Sequence, residues 1–299
     1  MSTLKQFNYL ITIVEEGSFI AASEKLFIAQ SALSRQIKIL EEELDFEIVD
    51  RSEKKIKLTP AGHVLYKNIK NNINNLKSSI ALAQGVSRGD GRTIKIAHSS
   101  SIIIDENKLK ILDQLSQKYN IEIEINTLSS ELQIESILQG STDLGMIRPP
   151  IYHSLLALNS VSLYTDALYV AVNCSDPFFH QKQSLHISEL EMHNFVSIPH
   201  DDRGGLSYLA SNLCLSYGFA PRKSRIRSRK VSQLDLVAHG FGICIVPEEF
   251  REILPQNVRL IPIEGDQHSS EVKLIWKKET DDIINKCADL LQDLFKNQI

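Results

Sequence analysis

The chain has 299 residues and a formal net charge of −4, with hydrophobic residues at 42% and charged residues at 23% of the total. This composition is ordinary for a soluble globular protein with room for two or more domains, and its bulk charge gives no indication of nucleic-acid binding. No apolar run approaches the roughly 20 residues of a transmembrane helix, and the N-terminus lacks the profile of a signal peptide, so we expect a cytoplasmic protein.

An opening helix is expected from about Thr3 to Glu15, ended by Gly17. Between Ser18 and Leu44, apolar residues recur at spacings of three and four in two runs separated by a break, which predicts two short helices. The second helix directs a set of polar side chains away from its apolar face: Gln30, Ser31, Ser34, Arg35 and Lys38. This pattern suits a helix-turn-helix, in which Arg and Gln contact base edges while Ser and Lys hold phosphates. The alternative is a solvated helix pair in any α-helical domain.

The segment after Leu44 predicts a two-stranded hairpin, with strands near Glu47–Asp50 and Lys55–Leu58. Its cations are placed to reach phosphates or the minor groove of DNA: Arg51, Lys54, Lys55 and Lys57. A solvated basic hairpin is the alternative. The acidic run Glu41–Glu43 is expected to face away from DNA, because like charges repel.

The run AASEKLFIAQSALSRQIKILEEEL, followed by RSEKKIKLTPAG, resembles the N-terminal domain of LysR-type transcriptional regulators. The resemblance implies that the hairpin is the wing of a winged helix-turn-helix. The chain departs from the family pattern at Ala29, where a Ser or Thr usually caps the recognition helix; Ser31 can replace that cap and would start the helix slightly later. It also has Asp45 where the family usually has Gly, and Val49 where it usually has Phe.

A long helix is expected to begin at Thr59-Pro60, with Thr as its cap. Its apolar residues recur at spacings of three and four over about six turns: Ala61, Leu65, Ile69, Ile73, Leu76, Ile80 and Ala83. Pairing with a second copy is the simplest cover for this stripe, and it resembles the dimerising linker helix of the family. The glycine-containing segment Val86–Thr93 is the expected hinge.

From Ile94 onward, short apolar runs alternate with helical patterns, which predicts a parallel sheet with helices on both faces. The segment Ser130–Ile147 resembles the effector domain of LysR-type regulators, and the resemblance implies a periplasmic-binding-protein-like α/β fold of two subdomains. The predicted organisation is a winged helix-turn-helix at residues 1–58, a linker helix and hinge at 59–90, and an effector-binding domain at 91–299. Subdomain I would comprise about 91–164 and 267–299, and subdomain II about 165–266.

Polar residues follow several predicted strands, where open α/β sheets bind ligands near helix N-termini. The candidate effector-binding residues are Ser99, Ser100, Ser101, Thr127, Ser129, Arg148, His200, Asp201, Asp202, Gly242 and Ile243. Taken singly, each of them is a helix cap or a loop residue more often than a ligand contact. Hydroxyls, helix N-termini and Arg148 favour a carboxylate, whereas Asp201 and Asp202 favour a cation or polyol, so the sequence leaves the charge of the effector open.

The resulting hypothesis is a sequence-specific, DNA-binding transcriptional regulator controlled by a small-molecule effector. The resemblance implies double-stranded promoter DNA and RNA polymerase as partners and a homodimer or homotetramer as the assembly. No P-loop, GxSxG, GxGxxG or HExxH motif occurs, so we expect no enzymatic activity, no catalytic residues, no cofactor and no metal.

Two alternatives remain at this point. One is a cytoplasmic ligand-binding module without DNA binding, which the helix-turn-helix pattern disfavours. The other is a thiol-sensing regulator of the same family. It would need a reactive cysteine pair, whereas Cys174, Cys214, Cys244 and Cys287 are far apart in the chain and have no metal-binding spacing.

Overall fold

The computed structural model describes residues 3–50, 56–88, 91–197, 204–228, 231–265 and 268–298. The chain divides into two compact units, Met1–Ala81 and Leu82–Ile299. The first unit is mainly helical, and the second is a mixed α/β structure.

Three helices form the core of the first unit: α1 (Leu4–Glu16), α2 (Phe19–Leu26) and α3 (Gln30–Leu44). Thr3 caps α1 in a reciprocal capping box with Gln6, and Gly17 ends the helix at φ 67°. Ser18 accepts the Ala21 N–H group and so caps α2. The helices bury a continuous apolar core that includes Leu10, Ile13, Ala22, Leu33, Ile37 and Leu40.

One expectation about α3 was wrong. The helix begins at Gln30 and not later, although Ala29 offers no side-chain cap, because the Ala29 carbonyl already accepts the N–H groups of Ala32 and Leu33. Glu41 differs from the exposed Glu42 and Glu43. It is buried, and its carboxylate accepts the N–H groups of Ile48 and Val49 at 2.9 and 3.0 Å, which fixes the start of the following hairpin.

The predicted hairpin forms from two short antiparallel strands, β1 (Val49–Asp50) and β2 (Lys57–Leu58). Thr59 then accepts the Gly62 N–H group at 2.9 Å and caps α4 (Pro60–Arg88), as the sequence predicts. The helix runs through Gly85 to Arg88, so the expected hinge is shorter than Val86–Thr93. The last two residues of the expected hinge, Arg92 and Thr93, already belong to the first strand of the second unit.

The first part of the second unit alternates strands and helices: β3 (Arg92–His98), α5 (Glu106–Tyr119), β4 (Ile121–Thr127), α6 (Ser130–Leu138), β5 (Leu144–Ile147) and the long β6 (Leu158–Asn173). A second group follows: β7 (Asn194–Ser197), α7 (Leu206–Ser216), β8 (Arg222–Ser228), α8 (Ser232–Ala238), β9 (Cys244–Pro247) and β10 (Val258–Pro262). The chain returns through β11 (Ser269–Lys277) and α9 (Asp282–Gln298). Short 3₁₀ helices lie at Ile187–Leu190 and Glu248–Ile253.

The predicted parallel pairing is confirmed for the first three strands of the second unit, but the sheet as a whole is mixed. β3 pairs in parallel with β4 and β5, but β11 is antiparallel to β5 and β6, and β9 and β10 are antiparallel to β6. The reason is that the chain crosses between two cores and returns. β6 joins β11 with its first part and β9 and β10 with its last part. Separate apolar cores therefore form on the two sides, one around Ile94, Leu144 and Leu274 and the other around Val170, Phe195 and Val246.

Candidate functional sites

The outer face of α3 carries the predicted DNA-contacting residues. Gln30, Ser31, Arg35 and Lys38 are exposed, and Ser34 is half-buried, while Leu33 and Ile37 hold the opposite face in the core. Lys38 Nζ lies 3.8 Å from a carboxylate oxygen of Glu42, one helical turn further on. The arrangement presents one amide, two hydroxyls and two cations on a single helical surface.

Only one of the four predicted wing cations lies among the described residues. Arg51, Lys54 and Lys55, all predicted to contact DNA, lie outside the described residues. Lys57 is exposed on β2.

The apolar stripe of α4 is covered unevenly. Leu65 packs against the core of the first unit and Ile73 is buried, so this part of the stripe already has cover within one chain. Further along, Leu76 and Ile80 are 43% and 48% exposed. Two neighbouring large aliphatic side chains on one helical face are left to water in the single chain.

A cavity of about 600 Å³ lies between the two halves of the second unit. One wall carries five of the predicted effector-binding residues, Ser99, Ser100, Ser101, Thr127 and Ser129, together with Leu128, Ser130, Glu131 and Leu132. The other wall is formed by Gly204, Gly205, Leu206, Ser207, Arg227, Ser228, Gln233 and Phe250. The carboxyl ends of β3 and β4 and the N-terminal ends of α6 and α7 thus meet at one space.

The serine loop after β3 is fixed by short-range hydrogen bonds. Ser99 donates its N–H group to the Met146 carbonyl at 3.0 Å, and its hydroxyl lies 3.0 Å from that of Ser101. His98 connects the loop to the next strand, because its Nε2 is hydrogen-bonded to the Thr127 hydroxyl at 3.0 Å and its Nδ1 lies 3.0 Å from the Ile102 carbonyl oxygen. The hydroxyls of Ser99, Ser101 and Thr127 are therefore held in place by the protein itself.

Glu131 is the acidic side chain among the described lining residues, and its charge is already satisfied. Its carboxylate accepts the Tyr152 N–H group at 2.8 Å and lies 2.5 Å from His153 Nδ1. Burial alone would raise the pKa of Glu131, but N–H groups of Tyr152, Gly204 and His153 and the His153 ring hold it below its usual value.

Three further predicted residues do not line the cavity. Arg148 is fully buried: it pairs with Glu249 and donates to the Ser270 carbonyl at 3.3 Å, so its guanidinium is used inside the protein. Gly242 packs against the Asn194 backbone, and Ile243 is buried and exchanges backbone hydrogen bonds with Asn194 and Val196. Ile243 and Gly242 thus join β7 to β9. His200, Asp201 and Asp202 lie outside the described residues.

Most of the second wall was not predicted from the sequence. Gly204 and Gly205 precede a helix, which is a signal for a backbone turn at a helix N-terminus, and Arg227 is the last cation of a strand rich in cations. Gln233 and Phe250 carried no sequence signal, since each lies near the start of an ordinary amphipathic or apolar segment. Only the tertiary fold brings them to the cavity.

Three of the four thiols are poorly suited to redox sensing. Cys214, Cys244 and Cys287 are buried, and all four cysteines are free. Burial raises the pKa of the Cys214 thiol to about 12 and that of Cys287 to about 11, and it also raises the pKa of Cys244. A thiol with so high a pKa holds little of the reactive thiolate near neutral pH.

Two negative findings apply to the part of the chain that the structure describes. No cluster of three or more His, Cys, Asp or Glu side chains there is arranged to hold a metal ion. Within the same residues, no helix combines the length and apolar character needed to cross a bilayer.

A helix-turn-helix with a wing, followed by a long helix and a two-lobed α/β domain with a central cavity, is the architecture of a ligand-responsive DNA-binding regulator. Residues 4–63 match the family described as "Bacterial regulatory helix-turn-helix protein, lysR family", and residues 87–296 match the "LysR substrate binding domain". The chain belongs to the LysR family of transcriptional regulators, with a DNA-binding and an effector-binding domain.

Relatives match over nearly the whole chain. The HTH-type transcriptional regulator BenM of Acinetobacter baylyi is 29% identical over 267 residues, which is 87% of this chain and 85% of BenM. The transcriptional dual regulator GltC of Bacillus subtilis is 29% identical over 280 residues, covering 92% and 91% of the two chains.

Solved structures share the fold. Full-length CbnR complexed with its target DNA has a TM-score of 0.73 at 22% identity and covers 98% of this chain and 99% of its own. Full-length BenM has a TM-score of 0.60 at 25% identity, covering 99% and 97%.

Proposed function

We propose that this regulator reads its operator through α3 and responds to a small anionic effector held in the cavity of the second unit. Arg35 and Gln30 would contact base edges, and Ser31, Ser34 and Lys38 would contact phosphates together with Arg51, Lys54 and Lys55 of the wing. The exposure of the α3 residues on one surface supports this assignment. CbnR, which shares the fold, is itself complexed with its target DNA.

The position of Arg227 in the cavity wall is the main reason for proposing an anionic effector. It lines the cavity opposite Ser99, Ser100, Ser101 and Thr127, which offer hydroxyl groups. The first turns of α6 and α7 also border the space, and the free N–H groups of a helix N-terminus favour a negative charge. Since Glu131 already accepts several N–H groups, it leaves the Arg227 charge for a ligand. A cavity of about 600 Å³ suits a metabolite-sized carboxylate or phosphate.

A thermal-shift screen of small carboxylates, phosphates, polyols and cations tests the proposal. We expect at least one anion to stabilise the wild-type protein, and its effect to disappear in Arg227→Ala and in Thr127→Val. Lys223→Ala is the matched control, because Lys223 is exposed on the same strand but does not line the cavity. Stabilisation by cations or polyols alone, unchanged in Arg227→Ala, would overturn the choice of an anion.

Self-association is the second part of the proposal. Leu76 and Ile80 would pair with the same residues of a second α4, which removes apolar surface from water. A further contact between effector domains is supported by two edge strands of opposite charge: β4 exposes Glu122 and Glu124, and β8 exposes Arg222 and Arg225. Edge strands with complementary charges suit pairing between copies, giving a dimer of dimers.

The protein would act in the cytoplasm, because a bacterial operator and RNA polymerase lie there. The named relatives are regulators, and we accordingly assign ligand binding without a catalytic step. Peroxide sensing is disfavoured by the burial and raised pKa of Cys214.

A further inference from the structure

Glu249 belongs to one half of the second unit but is held by the other half. It lies on the 3₁₀ helix that follows β9, and its neighbour Phe250 is part of the core around Val170 and Val246. Its carboxylate, however, pairs with Arg148, which directly follows β5, and with Lys108 Nζ of α5 at 3.0 Å. Glu249 thus bridges the two subdomains with charge.

The contacts of Glu249 define one position for its carboxylate. One oxygen pairs with Arg148, while the other accepts from the Tyr164 hydroxyl at 3.2 Å and from the Ile103 N–H group at 3.3 Å. Lys108 is shared, since its Nζ also lies 2.6 Å from Asp105. Contacts from several directions are all satisfied in only one relative arrangement of the subdomains.

Because the Arg148–Glu249 ion pair is buried, separating its two charges costs free energy. The Arg148 side chain is 0% exposed and that of Glu249 is 7% exposed. A charge in such surroundings is tolerated only when it is paired, and removing one partner leaves the other uncompensated. Arg148 Nε has no hydrogen-bond partner among the described residues, so its charge depends on Glu249 and the Ser270 carbonyl.

A neighbour of each residue of this pair lines the cavity. Phe250, next to Glu249, lines the cavity, and so does Ser130, whose hydroxyl accepts the Arg148 N–H group at 3.3 Å. A ligand that moves Phe250 or Ser130 would therefore act on the Arg148–Glu249 pair through these neighbours. A ligand can shift a conformational equilibrium only by binding its states unequally, and this pair is placed where such a difference would arise.

We propose that Glu249 is a positioning residue that locks the two subdomains in one closure state and couples that state to occupancy of the cavity. The coupling to a ligand rests on the proposed function, but the lock itself does not. Without Glu249, the subdomains sample a second, more open arrangement, because Arg148 and Lys108 gain water in place of the carboxylate.

Distances between spin labels test the lock without any ligand. Labels at Asp289→Cys on α9 and Glu191→Cys after the first 3₁₀ helix report on the two subdomains from exposed positions, with Cys174→Ser as the background. Double electron–electron resonance on the full-length protein, diluted with unlabelled copies, should give one narrow distance distribution. Glu249→Gln should add a longer-distance population. Glu252→Gln, an exposed change on the same 3₁₀ helix, should leave the distribution unchanged.

The double variant Arg148→Gln/Glu249→Gln separates locking from folding. It removes both charges of the pair, so we expect its melting temperature to recover relative to Glu249→Gln while the longer-distance population remains. A single narrow distribution in the folded double variant would overturn the proposal. Failure of the anion screen would leave this result intact, and the two proposals therefore stand or fall separately.

Discussion

Gly204 lies so close to Pro150 that a Cβ atom on Gly204 would be 1.8 Å from the Pro150 carbonyl oxygen. The next residue, Gly205, donates its N–H group to the same oxygen at 2.7 Å. Pro150 follows β5 on one side of the cavity, and Gly205 precedes α7 on the other. The two subdomains therefore meet backbone to backbone beside the cavity, which only a residue without a side chain permits.

Gly204→Ala should accordingly push the backbone at Gly204 away from the Pro150 carbonyl group. A Cβ cannot be accommodated against a backbone oxygen without moving one strand end, and we expect a loss of about 1–3 kcal/mol in the free energy of unfolding. Urea denaturation measures it. Gly91→Ala is the control, since its Cβ would lie no closer than 3.9 Å to other atoms. Equal stability of the two variants would show that the contact yields easily.

Arg35→Ala should weaken binding to a promoter fragment that the wild-type protein retards in a gel. Loss of a base-edge contact costs about 1–3 kcal/mol and relaxes the sequence preference. Lys38→Ala should weaken binding to all sequences and reduce the salt slope by about one, as expected for a phosphate contact. Lys110→Ala, an exposed change on α5, is the control. Unchanged operator affinity in Arg35→Ala would contradict the assignment of α3.

Leu76→Glu together with Ile80→Glu should halve the particle mass measured by light scattering. Both side chains are exposed in the single chain, so the change places negative charge in the proposed interface without disturbing the core of the first unit. Ile73 is less suitable for this test, because it is already buried within one chain. Lys67→Glu adds negative charge on the opposite face of α4 and should leave the mass unchanged. A wild-type mass in the double variant would rule out pairing through this stripe.

Alkylation should distinguish the cysteines. Under native conditions near pH 8, iodoacetamide should label Cys174, which is half-buried, while Cys214, Cys244 and Cys287 stay unmodified. The reason is that burial removes access and raises the pKa of each of these three thiols. Peptide mass spectrometry measures the labelling, with a urea-unfolded sample as the control. Rapid modification of Cys214 in the folded protein would reopen the thiol-sensing alternative.

Deprotonation of Asp166 should lower the free energy of unfolding as the pH rises from about 4 to about 6. Burial and the nearby Glu249 carboxylate raise the pKa of Asp166 to about 6, whereas an unfolded Asp titrates near 3.9. The folded state then binds more protons in this window, so its stability falls with increasing pH. Asp166→Asn should flatten that decline while keeping an acceptor for the Glu249 N–H group. Urea denaturation between pH 4 and 7 measures it, and an unchanged slope would contradict the assignment to Asp166.

Local patterns in the sequence determined the elements and much of the recognition surface. Ser18 and Thr59 mark helix starts because a side-chain oxygen satisfies a free N–H group within three residues. The outward face of α3 follows from the 3.6-residue period, and the serines after β3 follow from the end of an apolar run. Each of these features depends on neighbours along the chain, which is why the sequence was sufficient to predict it.

Tertiary structure decided the features that depend on distant residues. Arg148 was predicted to contact the effector, but it is buried against Glu249, 101 residues away. Glu41 accepts the N–H groups of Ile48 and Val49, a role that its place in an acidic run did not indicate. Arg227 and Phe250 reach the cavity only because β6 and β11 join the two cores and fold one subdomain against the other. The partner of a buried charge and the second wall of a cavity are set by chain crossing, and no local pattern encodes that.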